Sequence, residues 1–403
     1  MKRHIFPLLF MFFLFTVSSC LNDKTDVTPQ ELPAPELTDT LDLSGWLTDS
    51  DQLSFYSLKL VNGRYLLIFE SGASIGYSNI YRYDLENQQL IKLDDLTWGD
   101  LRSSTISIKG DELILMRRAG APLPQQEVAI IGIPELEIRS RIPIETTNYE
   151  HKLTGSNLYF KQYGSSATIN LREVDLESGE VRTAYQMNRE YEKDFDLKIE
   201  WDFFTSEDYG NAVVTLDRFP EGGIQLINFS LTESTEIWRN PLVEFGESDL
   251  KPYKVIAGDD RVYIFSKDKM SCRDLSTGAL LWSEYTQAAQ DEHNAWLQGD
   301  KVFIVSDEKI AAYSAVDGVQ IWSKPKFQLG PVANLERYED YLFVNQVPFS
   351  VEAGDALWTE PVLWDEQDPF SKIYNQPAVD LEAGKIYYLI DFKLYTVALP
   401  PFE

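Results

Sequence analysis

Few residues in this chain have the type and spacing to do chemistry. There are two cysteines, Cys20 and Cys272, and three histidines, His4, His151 and His293. Cys272 has no neighbouring cysteine, and the histidines lie far from one another and from either thiol, so no zinc-ligand spacing is present. No Gly-x-Ser-x-Gly turn, phosphate loop or calcium-loop pattern occurs. The acidic run Asp194, Asp196, Glu200 and Asp202 has the composition of a cation site. However, Phe195, Leu197, Ile199, Trp201 and Phe203 alternate with it, and that period of two predicts one strand with a polar and an apolar face. No catalytic residue, cofactor site or metal site is therefore assigned, and the chain is not expected to be an enzyme.

Cys20 is the exception, and its surroundings explain it. Lys2 and Arg3 open the chain, Ile5 to Val17 is apolar apart from Thr16, and Ser18 and Ser19 precede the thiol. A charged start, a short apolar stretch and small residues form a secretory signal. The stretch is shorter than the roughly 20 residues needed to span a bilayer. Val17-Ser-Ser-Cys20 resembles the lipobox of bacterial lipoproteins, which implies removal of residues 1–19 and lipidation of Cys20 with palmitate-type acyl chains. Leu21, in place of an aspartate, leans toward the outer membrane. Display could be periplasmic or at the surface, and the membrane would be met through the lipid anchor alone.

The rest of the composition fits an exported globular body. Lys and Arg number 36 against 64 Asp and Glu, for a net charge of −28, and losing Lys2 and Arg3 makes the remainder more negative. Such a charge repels nucleic acid and anionic headgroups. With Cys20 acylated no internal disulfide can form, so the fold must rest on its core. Residues 20–40, with Pro29, Pro33 and Pro35, read as a flexible tether. The folded domain is expected over residues 41–403.

What must position any functional surface is an internal repeat. Gly258-Asp-Asp-Arg-Val-Tyr-Ile-Phe-Ser leads to Asp274-Leu-Ser-Thr-Gly-Ala-Leu-Leu-Trp282. Gly299-Asp-Lys-Val-Phe-Ile-Val-Ser leads in the same way to Gly318-Val-Gln-Ile-Trp322. The Gly-x-x-x-Trp ending recurs at Gly354/Trp358, and with serine at Ser234/Trp238. Opening turns fall at Gly63, Gly110, Gly155, Gly210, Gly258, Gly299, Asp340 and Gly384, which makes eight units. Units of this length with four short strands are propeller blades. The predicted fold is all-β, an eight-bladed β-propeller of four-stranded blades. The last unit stops before a Trp-ending strand, so residues 41–47, with Leu43-Ser-Gly-Trp46, are expected to supply its outer strand and close the ring. The repeat tryptophans are read as packing between blades.

These units resemble the pyrroloquinoline-quinone-type propeller repeat, whose Asp–small–Thr–Gly turn followed by Trp is matched best at Asp274–Trp282. A lipoprotein made almost wholly of one such ring is similar to the propeller scaffolds of the outer-membrane barrel-assembly machinery. The resemblance implies a non-catalytic, monomeric scaffold that binds protein partners at the membrane, with no bound quinone. Quinoprotein dehydrogenases share the ring but need adjacent cysteines, which are missing. The other reading is a surface receptor or enzyme taking glycans or other nutrients in the funnel. Expected contact elements are the loops 117–126, 187–193 and 359–377, the last with Trp364 and Phe370.

Overall fold

The computed structural model describes residues 36–47, 54–72, 78–93, 106–117, 126–145, 151–163, 168–188, 201–206, 210–218, 224–245, 252–258, 260–266, 269–285, 295–305, 309–325, 335–344, 347–357, 377–390 and 392–399. Contacts divide the chain into Met1–Pro33 and Ala34–Glu403, and all the strands lie in the second unit.

Eight antiparallel sheets follow one another along the chain as the blades of a β-propeller. Blades 1 to 6 cover residues 54–92, 106–144, 151–188, 201–241, 252–285 and 295–325, each with four strands in sequential order. Blade 7 has three strands, Leu335–Tyr338, Tyr341–Val344 and Val347–Ser350, and a bridge from Phe349 to Ala356 starts a fourth. Trp358 lies outside the described residues.

Blade 8 orders its strands Leu37–Asp42, Lys393–Ala398, Lys385–Ile390 and Ala378–Asp380. The chain start thus supplies the outer strand, as the incomplete last unit required. The register differs from the sequence expectation: of residues 41–47, only Leu41 and Asp42 belong to the strand. Leu43 to Leu47 is instead a tight turn in which the Trp46 and Leu47 amides both donate to the Leu43 carbonyl. Leu43 and Leu47 are buried while Trp46 stands 62% exposed. The two leucines pack with Leu66 and Tyr81 of blade 1 and Tyr387 and Leu394 of blade 8, plugging the joint between first and last blades. Deleting residues 36–47 should therefore unpair Lys393–Ala398 and cause aggregation, whereas deleting 22–34 should leave the thermal melt unchanged. Equal melts for the two deletions would contradict this closure.

The core is a series of layers between blades. Tyr263, Phe265 and Cys272 of blade 5 pack on Val302, Ile304 and Ala311 of blade 6, and comparable clusters join each successive pair. Covering on both faces explains why middle strands read as continuous apolar runs, such as Lys301-Val-Phe-Ile-Val305, buried at every position. Outer strands such as Leu280–Tyr285 are exposed or half-buried throughout.

The Asp-x-x-x-Gly turns hold themselves. The Asp274 carboxylate accepts from the Ser276 hydroxyl and from the Thr277 amide and hydroxyl, each at 2.7 Å. Asp175 accepts the Glu177 and Ser178 amides in the same way. Hydrogen bonds of this kind hold the carboxyls of Asp175, Asp274 and Asp317 below the ordinary value. Near and below pH 4 the unfolded chain binds these protons first, so the stability they contribute is full above that value and fades as pH falls through the folded pKa values. Urea midpoints measured from pH 6 to pH 2 should fall at the acid end, with a shallower fall for Asp274→Asn. An identical slope for that variant would remove Asp274 from the effect.

Candidate functional site

The innermost strands of neighbouring blades touch one another around the axis, and their polar residues form a nearly continuous belt. The Asn62 amide donates to Asp111 at 2.7 Å, joining the opening turns of blades 1 and 2. Ser107 Oγ meets His151 Nε2 at 3.0 Å between blades 2 and 3. Lys152 pairs with Asp202 between blades 3 and 4, and the other Asp202 oxygen accepts the Ala257 amide of blade 5 at 2.8 Å. Lys254 donates to the Ala295 carbonyl of blade 6 and lies over the Trp296 ring. Arg337 Nη1 donates to the Gln298 carbonyl at 2.6 Å, tying blade 7 to blade 6. Finally Lys59 of blade 1 pairs with Glu336 of blade 7, passing the short inner strand of blade 8. Glu336 also accepts from Tyr338 at 2.5 Å, and burial together with that carboxylate pushes the Tyr338 phenol well above its ordinary value.

The belt answers where the suspected acidic run goes. Asp194, Asp196 and Glu200 lie outside the described residues, as does His293. The described strand begins at Trp201 and carries Asp202 into the belt beside Lys152. Asp202 and Glu336 each face a lysine, and Asp380 of blade 8 accepts the Ala383 amide of its own turn. Among the described residues no group of three His, Cys, Asp or Glu is placed to hold a metal ion. Arranged in this way, the belt's charges hold blades in register.

Cys272 is fully buried in the layer between blades 5 and 6, and burial pushes its thiol up to about 12. A thiol so protonated at neutral pH is a poor nucleophile. Cys20 lies outside the described residues, as do most of the three expected contact loops. No helix among the described residues is long and apolar enough to cross a membrane.

The repeat tryptophans do staple blades, each to the next. A Cβ at Gly278, Gly318 or Gly354 would stand 2.8, 2.8 or 2.5 Å from the indole of Trp238, Trp282 or Trp322. These glycines also adopt φ of 70–76°, so both contact and backbone demand the missing side chain. Trp238 Nε1 donates to the Leu275 carbonyl at 2.8 Å and Trp322 Nε1 to that of Val351 at 3.0 Å, each in the following blade. In the motif, Gly receives the previous blade's Trp.

Sequence reasoning missed two features. The belt left no signal because its members, although most stand three or four residues before the opening turn of their unit, change side-chain type from blade to blade. The second is an exposed apolar group, Leu280, Leu281, Val316, Val319 and Ile321, on the rim of blades 5 and 6. In sequence those residues look like more of the strand core.

Ring, turns and staples define an eight-bladed β-propeller. In architecture the chain resembles BamB from Moraxella catarrhalis, with a TM-score of 0.53 and 11% identity over 90% of this chain and 99% of that one. It is also similar to Sqt1 from Saccharomyces cerevisiae, with a TM-score of 0.57 and 10% identity over 92% and 100% of the two chains. At such identities the likeness is one of fold. No protein-family model matches the chain, and no curated protein does.

Proposed function

We propose that this protein is a lipoprotein, anchored through acylated Cys20, whose propeller is a non-catalytic scaffold for protein partners at the outer membrane. The observation that carries the reading is the placement of the closing strand. Leu37–Asp42 completes blade 8 and takes residues 37–40 of the expected tether into the ring, so only 16 residues, 21–36, separate Cys20 from the first strand. Two or more acyl chains contribute about 0.8 kcal/mol per buried CH₂, enough for lasting attachment. A tether then raises the local concentration of whatever the ring binds. The nearly continuous belt and the inter-blade staples favour a stiff platform, and loops and rims on such a platform are where binding sits. The architectural likeness to BamB supports a scaffold, and the step from fold to role is analogy.

Metabolic labelling with a fatty-acid analogue tests the anchor. Label on the wild type and none on Cys20→Ser is the expected result. Equal label on both would end the lipoprotein reading.

A further inference from the structure

A propeller's outer strands each keep one unpaired backbone edge, which natural sheets protect with charge or proline. Lys92 stands on the outer strand of blade 1, and Arg139, Arg141 and Pro143 on that of blade 2. Arg182 stands on blade 3, Arg239 and Pro241 on blade 4, Lys324 and Pro325 on blade 6, and Asp39 and Asp42 on the closing strand. Blade 5 departs from this pattern. Its outer strand is Leu280-Leu-Trp-Ser-Glu-Tyr285, with no lysine, arginine or proline. Its single acid, Glu284, lays its stem against Gly318 of blade 6.

The same strand is apolar where it meets solvent. Leu280, Leu281 and Tyr285 are exposed, and so are Val316, Val319 and Ile321 of blade 6. Gly318 sits on Trp282, which places the turn bearing Val316 and Val319 directly beside this strand. These six are most of the exposed large hydrophobics among the described residues. An apolar group this concentrated on an acidic protein marks an interaction site. The strand and the adjoining turn 315–319 carry two acids of their own, Glu284 and Asp317, while Arg261 donates to the Ala315 and Val316 carbonyls of the turn and Lys269 lies over the Tyr285 ring.

We propose that the outer edge of blade 5 is a docking site for an extended partner segment, which adds as a fifth strand. Main-chain hydrogen bonds to Leu280–Tyr285 would align it, apolar residues on one face would cover the leucines and valines, and flanking lysines or arginines would meet the carboxylates. A second copy of the chain is the poorer occupant, because it would set Glu284 and Asp317 against like charge in a chain of net −28. The inference rests on the scaffold reading and gives that scaffold a place and a mode of binding.

The test is a fluorescence-anisotropy titration of the full, membrane-extracted protein with three labelled octapeptides. They are an alternating Val–Lys peptide, the same peptide N-methylated at alternate residues, and an alternating Val–Glu peptide. Expected are saturable binding of the first, affinity lower by about tenfold or more for the second, and none for the third. The Leu280→Ser/Leu281→Ser double variant should lose about tenfold for the Val–Lys peptide, and Gln89→Ser on blade 1 should lose nothing. Both positions are exposed, so circular dichroism melts should match the wild type. Equal binding of the N-methylated peptide would reduce the contact to charge alone and overturn the proposal. Unchanged binding by the double variant would also overturn it, as would a wild-type dimer that the double variant abolishes in sedimentation. None of these outcomes bears on whether the membrane-purified protein holds a stoichiometric partner elsewhere on the ring, which decides the scaffold reading separately.

Discussion

Replacing Glu244 by alanine should destabilise the ring by about 3–5 kcal/mol, the usual cost of stripping one partner from a buried ion pair. Glu244 sits in a single 3-10 turn, Val243–Phe245, that links blade 4 to blade 5. Its side chain and that of Arg273 are only 4% and 6% exposed. The contact is a two-pronged fork, Nε to Oε1 at 3.0 Å and Nη2 to Oε2 at 2.6 Å. Arg273 also donates to the carbonyls of Gly278 and Pro241, and Ser271 donates to Glu244, so the buried charges are closely satisfied. Removing Glu244 leaves a guanidinium in the interface with carbonyls alone. Removing both charges should cost much less, so Glu244→Met/Arg273→Met should recover a large part of the loss. Urea midpoints for the two variants check this. A double variant as unstable as Glu244→Ala would mean that the pair itself contributes net stability.

Trp322→Ala should cost a comparable amount, about 3–5 kcal/mol, because it empties a large buried site. Trp322 is 7% exposed, lies 6.0 Å from the Phe303 ring, and covers Gly354 of the next blade. Trp282→Ala should cost less, about 1–3 kcal/mol, within the ordinary range for single substitutions. Its indole is half-buried and its Nε1 finds no acceptor among the described residues, while the Ala315 carbonyl already takes Arg261 and Tyr263. In a ring whose units contact mainly their neighbours, the loss at Trp322 should appear as faster amide exchange in blades 6 and 7 first. Equal urea midpoints for Trp282→Ala and Trp322→Ala would show that burial does not rank them.

The eight units were readable because turns carry hard chemical requirements. Gly63, Gly110, Gly155, Gly210, Gly299 and Gly384 take the positive φ that their spacing implied, and Glu339 takes it beside Asp340. Gly258 does not share this conformation, although it does end an inner strand at the expected place. The closing strand was legible in existence and not in register. Leu37-Thr-Asp-Thr-Leu-Asp42 exposes nearly all its side chains and is held by backbone pairing to Lys393–Ala398, so it leaves no hydrophobic signal. Leu43 and Leu47, buried as a plug, made the following run look like the strand. The motif also made three tryptophans appear equivalent, and only the packing of the next blade separates Trp322 from Trp282. The apolar rim of blade 5 was hidden for a related reason: Leu280 and Leu281 have strand composition, and exposure is a property of position in the ring.

The proposal of a lipid-anchored, non-catalytic scaffold meets its most direct test in native mass spectrometry of the full protein released from solubilised membranes. The expected spectrum contains a chain beginning at acylated Cys20, together with a second species of the same chain carrying one protein partner in stoichiometric amount. A chain that retains residues 1–19 without acyl mass, or one carrying a stoichiometric quinone, calcium ion or glycan and no protein partner, would contradict it.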